Sequence, residues 1–196
     1  MDDAVLRAMQ RWPNVPAVFG WLRLDRRGNW LVKTTGGEFE RIVNPAMIEF
    51  VNRNYVRDDN GRWYFQNGPQ RVFVTLDYTP WVYRLDRTAS GFVTHTSLVP
   101  KELRGLFLDE FDRLLLETEL GVGVLSDRDL PAVLEQLHPP VGTSIEAALL
   151  VVADGEKVSA KLFGQDVVVA PIRAEDVAER FGFVARPSPA PGQPDC

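Results

Sequence analysis

Between Asp58 and Trp81 the chain reads DDNGRWYFQNGPQRVFVTLDYTPW, and this alternation of tight turns with short aromatic and β-branched runs constrains the fold more than any other feature. Asn60-Gly61 and Asn67-Gly68-Pro69 are turn signals, because glycine takes the positive φ that hairpin turns need and proline fixes its own φ. The runs between them are too short for helices and rich in residues that favour strands. The stretch therefore reads as a β-meander, and a meander must bury one face. Successive strand residues point to opposite faces, which puts Trp63 and Phe65 on the core side and Tyr64 and Gln66 on the other.

The rest of the chain follows the same grammar. Val5, Leu6, Met9 and Trp12 fall at helical spacing before Pro13. Strands are expected at 18–24, 29–34 and 39–43, divided by turns at Asp25-Arg26-Arg27-Gly28 and Gly36-Gly37. Asn44-Pro45 then caps a helix reaching about Asn54. Asp25-x-x-Gly28-x-Trp30 recurs as Asp58-x-x-Gly61-x-Trp63, a spacing that invites a repeat reading. Further strands are expected at 71–76, 81–85 and 92–96. The segment 103–125 reads as a strand at 106–109, a turn at 110–112 and one long strand at 113–125, with helix over 102–112 as the alternative. A helix capped at Ser126 follows to about Leu137. Residues 147–153, 158–163 and 167–172 read as a closing meander with turns at Asp154-Gly155 and Gly164-Gln165, and 174–181 as a helix ended by Gly182.

The resulting fold class is α+β, made of repeated antiparallel β-meander plus helix units that can be read as two similar half-domains. The expected organisation is an N-terminal meander-helix-meander half over 1–100, a C-terminal strand-helix-meander-helix half over 101–185, and a flexible Pro-rich tail over 186–196.

Composition narrows the setting. Of 196 residues, 45% are hydrophobic and 25% charged, the balance of an ordinary globular chain. No apolar run approaches the length of a membrane span, and the start lacks the apolar core of a signal peptide, so a cytoplasmic location and no membrane partner are expected. The single cysteine, Cys196, offers neither a disulfide framework nor a cysteine metal site. A net charge of −5 speaks against nucleic acid as a partner.

No catalytic or metal-binding set emerges, and no cofactor is expected. His95 could act as a general base with Asp77 or Asp86 as its orienter, in a hydrolase-like enzyme; otherwise it is a polar residue on the outer face of a strand. His138, at a helix end, faces the negative end of the helix dipole. There is no G-x-S-x-G, and Gly121-Val122-Gly123 lacks the further glycine of a dinucleotide loop. Asp58-Asp59-Asn60-Gly61 is a turn and not a calcium loop. The carboxylates Asp109, Glu110, Asp112, Glu117 and Glu119 read as a solvated face. The densest recognition chemistry lies in 62–83. There Tyr64, Gln66 and Arg71, if they project outward, form a platform for a protein partner or small ligand, with His95 as a further candidate binding residue.

The segment GRWYFQNGPQRVFVTLDYTPWVYRL, with the upstream Gly28-Asn29-Trp30 and the later LLLETELGVGVLSDRDL, resembles an uncharacterised bacterial protein family, a domain of unknown function. The likeness covers nearly the whole chain except the Pro-rich tail. The alternation of D-x-x-G-x-W turns with helices gives a more distant likeness to a second such bacterial family, for which repeated α+β motifs and a role in signal transduction have been suggested. Neither resemblance implies an activity or a catalytic residue. The leading expectation is a non-enzymatic binding or regulatory module. A self-associating structural protein, such as a homodimer formed through open sheet edges, stands beside the enzyme as an alternative.

Overall fold

The computed structural model describes residues 1–86 and 91–189. The chain forms two compact units, one built from Met1–Pro80 with the chain from Gly182, the other from Trp81–Phe181. The divisions thus fall after Pro80 and Phe181, while the sequence pattern places them after residues 100 and 185. Of the expected tail, residues 190–196 lie outside the described residues, Cys196 among them.

In the first unit, helix α1 (Asp3–Arg11) precedes a meander of β1 (Val18–Leu24), β2 (Trp30–Lys33) and β3 (Phe39–Arg41). Helix α2 (Pro45–Arg53) follows, with the Asn44 carboxamide oxygen accepting from the Met47 N–H at 3.2 Å, the cap read from Asn44-Pro45. A second meander, β4 (Tyr55–Arg57), β5 (Trp63–Asn67) and β6 (Gln70–Leu76), completes a six-stranded sheet in the order β3-β2-β1-β6-β5-β4. The short strand β4 begins directly after α2 and carries no turn signal of its own. The two meanders join where β1 runs parallel to β6, so the sheet is mixed, because the helix crossover returns the chain in the original direction. One face carries Trp30, Tyr55 and Phe65: Phe65 meets Phe50 of α2 edge-on at 5.3 Å and Trp30 meets Tyr55 at 5.0 Å.

The second unit opens with a hairpin, β7 (Trp81–Asp86) and β8 (Gly91–Thr94), and then repeats the pattern of the first. A meander of β9 (Leu103–Leu108), β10 (Leu114–Thr118) and β11 (Gly121–Leu125) leads to helix α3 (Leu130–Gln136). After it come β12 (Leu137–His138), helix α4 (Ile145–Ala153), β13 (Val158–Leu162) and β14 (Gln165–Pro171). A 3-10 turn, Ala174–Asp176, and α5 (Val177–Arg180) close the unit. Its sheet order is β12-β13-β14-β9-β10-β11-β7-β8. Its first six strands, read backwards, are those of the first unit in the same connectivity. The register agrees as well: Leu22 and Leu24 face Val74 and Leu76, and Leu106 and Leu108 face Val169 and Pro171 across the matching parallel pair. The expectation of an α+β fold with two similar half-domain-like sheets is met.

Four local readings need correction. Residues 147–153 are not a strand but most of α4, because Ser144 accepts from the Ala147 N–H at 3.2 Å and starts a helix. The expected single strand 113–125 breaks into β10 and β11, since Thr118 pairs with Gly121 across a two-residue turn. The helix alternative over 102–112 gives way to β9 and its turn. His138 is not a helix-end residue; it lies in β12 and pairs with Lys161 of β13.

The D-x-x-G-x-W motif is a hairpin device. Asp25 accepts from the N–H groups of Arg27 and Asn29, and Asp58 from those of Asn60 and Arg62, each at 2.8–3.0 Å. Asp109 does the same for Phe111 and Arg113 at 2.9 Å. The fourth residue of each turn has positive φ: Gly28 at +79°, Gly61 at +77° and Asp112 at +59°.

Candidate functional site

The face of the first sheet opposite Trp63 and Phe65 carries Tyr64, Gln66, Arg71 and Phe73. Tyr64 is paired across the strands with Phe73, and Gln66 with Arg71. They share that face as the strand alternation requires, but they do not form an open platform. Phe19 of β1 stacks on Phe73 at 4.6 Å and closes over the pair with Tyr64, which is 7% exposed. Arg71 is exposed, and its guanidinium lies over the Tyr64 ring at 5.0 Å. On the other side of Phe73 the Arg62 guanidinium lies at 4.5 Å, held by Asp58 at 2.8 Å.

Gln66 is the unusual member. It has no exposed surface. Its Nε2 donates to the Gly68 carbonyl at 2.8 Å, while its Oε1 has no hydrogen-bond partner among the described residues. Leaving a buried acceptor unmade costs about 1–3 kcal/mol, and native structures rarely tolerate it without reason. Gln66 and Arg71 both line a cleft of about 610 Å³, walled by Met9, Trp12, Pro13, Asn14, Val15, Pro16, Ala17, Phe19 and Pro69. That volume suits a small ligand. The lining includes one cation, Arg71, and no carboxylate.

The second unit has a cleft of similar size, about 590 Å³, with many more charges. Several of those charges are already engaged: Glu110 accepts from the Ala174 N–H at 2.8 Å, Arg173 pairs with Glu175 at 2.7 Å, and Arg180 lies over Phe107 at 4.5 Å. Asp109, within its turn, pairs with Arg113 at 3.5 Å. Of the acidic cluster, Glu119 holds the N–H groups of Lys101 and Glu102 at 2.6 and 3.0 Å. These carboxylates organise turns and the starts of elements. Among the described residues no group of His, Cys, Asp and Glu is arranged to hold a metal ion.

His95 belongs to the second unit, whereas Tyr64, Gln66 and Arg71 belong to the first. It is not on an outer strand face; it is 9% exposed, beside Trp81 at 5.7 Å. Its Nδ1 accepts from the Val82 N–H at 3.3 Å. Burial, and after it the Arg84 charge, lowers its pKa to about 3, which makes it a weak proton acceptor. Asp77, one of its suggested orienters, instead binds Arg23.

Over residues 1–188 the chain matches the family described as "Protein of unknown function (DUF2946)". The chain belongs to this family. No curated protein matches it. Two solved structures, both of DUF1285 family proteins, are similar to this family member. The one from Silicibacter pomeroyi DSS-3 is 16% identical, with a TM-score of 0.47 over 72% of this chain and 88% of that one. The one from Shewanella baltica OS155 is 14% identical, with a TM-score of 0.40 over 58% of this chain and 90% of that one. Among the described residues no helix is long and apolar enough to cross a membrane.

Proposed function

We propose that this family member is a non-enzymatic binding or regulatory module of the cytoplasm, and that its recognition site is the cleft of the first unit. One observation carries the reading: a fully buried Gln66 holds an acceptor unpartnered among the described residues, in a cleft whose lining also has the exposed Arg71 and no carboxylate. A polar group kept in that state gains most when a ligand supplies the missing donor. The apolar walls supply contact area, and the arginine supplies orientation.

The test is a titration of the ¹⁵N-labelled full chain with fragment-sized amides, acids and aromatics. At millimolar concentration the Gln66 side-chain amide and the backbone amides of 66–71 should shift, while those around His95 stay still. If no fragment perturbs the cleft, or if the shifts gather in the second unit, the reading is wrong.

A further inference from the structure

The polar groups of the cleft constrain what it takes. Because Nε2 of Gln66 is committed to the Gly68 carbonyl, the orientation of the amide is fixed; a flip would set two carbonyl oxygens against each other. The group that meets Oε1 must therefore be a donor. Arg71 stands directly across the strand pair from Gln66, so their Cβ atoms lie about 4.5–5.5 Å apart. Its guanidinium rests on Tyr64, which leaves the edge N–H groups for an anion, and planar carboxylates match that edge in a two-pronged way. The ligand must thus carry a donor and a carboxylate within a few ångströms of each other, on the same or adjacent carbons.

Granted the binding role proposed above, we infer that the occupant is an α-amido carboxylate, the unit found in an N-acyl amino acid and at the C-terminus of a peptide. Its amide N–H meets Gln66 Oε1, its carboxylate meets Arg71, and its apolar side chain packs on Met9, Trp12 and Phe19. A free amino acid fits less well, because its ammonium would sit beside Arg71 with no carboxylate in the lining to balance it. Gln66 Oε1 is buried, so binding also requires the cleft lining beside it to yield locally.

Calorimetry on the full chain with N-acetyl-leucine tests this. Binding should weaken at least tenfold for N-acetyl-leucinamide, which lacks the carboxylate, for N-acetyl-N-methyl-leucine, which lacks the donor, and for free leucine. Arg71→Gln, at an exposed position and with an unchanged Tm, should remove the preference for acid over amide; Gln66→Met, which removes the acceptor at similar volume, should weaken binding at least tenfold. An acetylated tripeptide ending in leucine separates the two sources: tighter binding than N-acetyl-leucine assigns the site to peptide termini, weaker binding to the small molecule. The inference is overturned if the amide or free leucine binds as well as the acid. It is overturned too if N-acetyl-leucine fails to bind while other fragments still shift Gln66, a result that leaves the binding role standing. No perturbation by any fragment removes both.

Discussion

Tyr64 and Arg71 are neighbours on one face of the first sheet, yet they differ in what they hold. Tyr64 is buried in a cluster with Phe73 and Phe19, whereas Arg71 covers it from outside. Tyr64→Ala should therefore cost about 3 kcal/mol, in the range of aromatic truncations in cores, and Arg71→Ala less than about 0.5 kcal/mol, both read by chemical denaturation; equal costs would mean that the face is not packed as described. Strand alternation was enough to place Tyr64, Gln66 and Arg71 together. It could not show that two of them are buried, because the packing on Tyr64 includes Ala17 and Phe19, some fifty positions away. His95 likewise reads as an ordinary polar strand residue until burial is known. With a folded pKa of about 3, it stays neutral while the unfolded chain takes up a proton near the ordinary value. Its contribution to stability is whole above about pH 6.5 and declines as pH falls toward 3, by about 1.4 kcal/mol per pH unit. Urea unfolding at a series of pH values should show that slope in the wild type and a smaller one in His95→Asn, and parallel curves would contradict it.

At the level of elements, the turns were the most legible part of the sequence. A carboxylate that holds two following N–H groups, with glycine three residues on, works through contacts within five residues, so it needs no partner from elsewhere. Even so, two glycines with similar backbone angles are not equivalent. Gly37, at φ +87°, has nothing within 4 Å of where a Cβ would stand, whereas at Gly61, at φ +77°, a Cβ would run into the Gly182 carbonyl. Gly37→Ala should cost about 1–3 kcal/mol, from backbone strain alone, and Gly61→Ala distinctly more. Thermal melts of the two variants make the comparison, and equal losses of Tm would refute it. The element read wrongly, α4, shows where local reasoning stops. Its apolar run suits a buried strand as well as a helix, and the decision rested on Ser144, whose cap lay just before the stretch taken as a strand.

Across the whole molecule, the first unit is discontinuous in sequence, and the chain that returns at Gly182 is part of it. Val184 N–H donates to Gly61 at 2.9 Å, Leu76 N–H donates to Ala185 at 2.8 Å, and Arg57 donates to Gly182 at 2.6 Å. Phe183 is buried at 7% exposure. Removing the chain from Gly182 onward should raise hydrogen exchange in peptides from 55–80 and leave peptides from 103–125 protected. Exchange that rises in both units alike would show that they are not separate compact bodies. The same threading explains why the repeat was found at the wrong spacing. Asp25 and Asp58 share a turn type, but the partner of the Asp25 turn in the repeated topology is the turn of Asp109, where aspartate replaces glycine at the positive-φ position and leucine replaces tryptophan.

By itself, the sequence determined most turns and strands, the cap of the second helix and which side chains share a face. Each of these follows from interactions between residues close in the chain, or from the two-residue period of a strand. The tertiary structure alone decided the parallel pairing of β1 with β6 and of β9 with β14, the matching of the two sheets, and the covering of Tyr64 and Gln66. These depend on which distant segments meet, and a buried acceptor without a partner becomes visible only when every neighbour is in place.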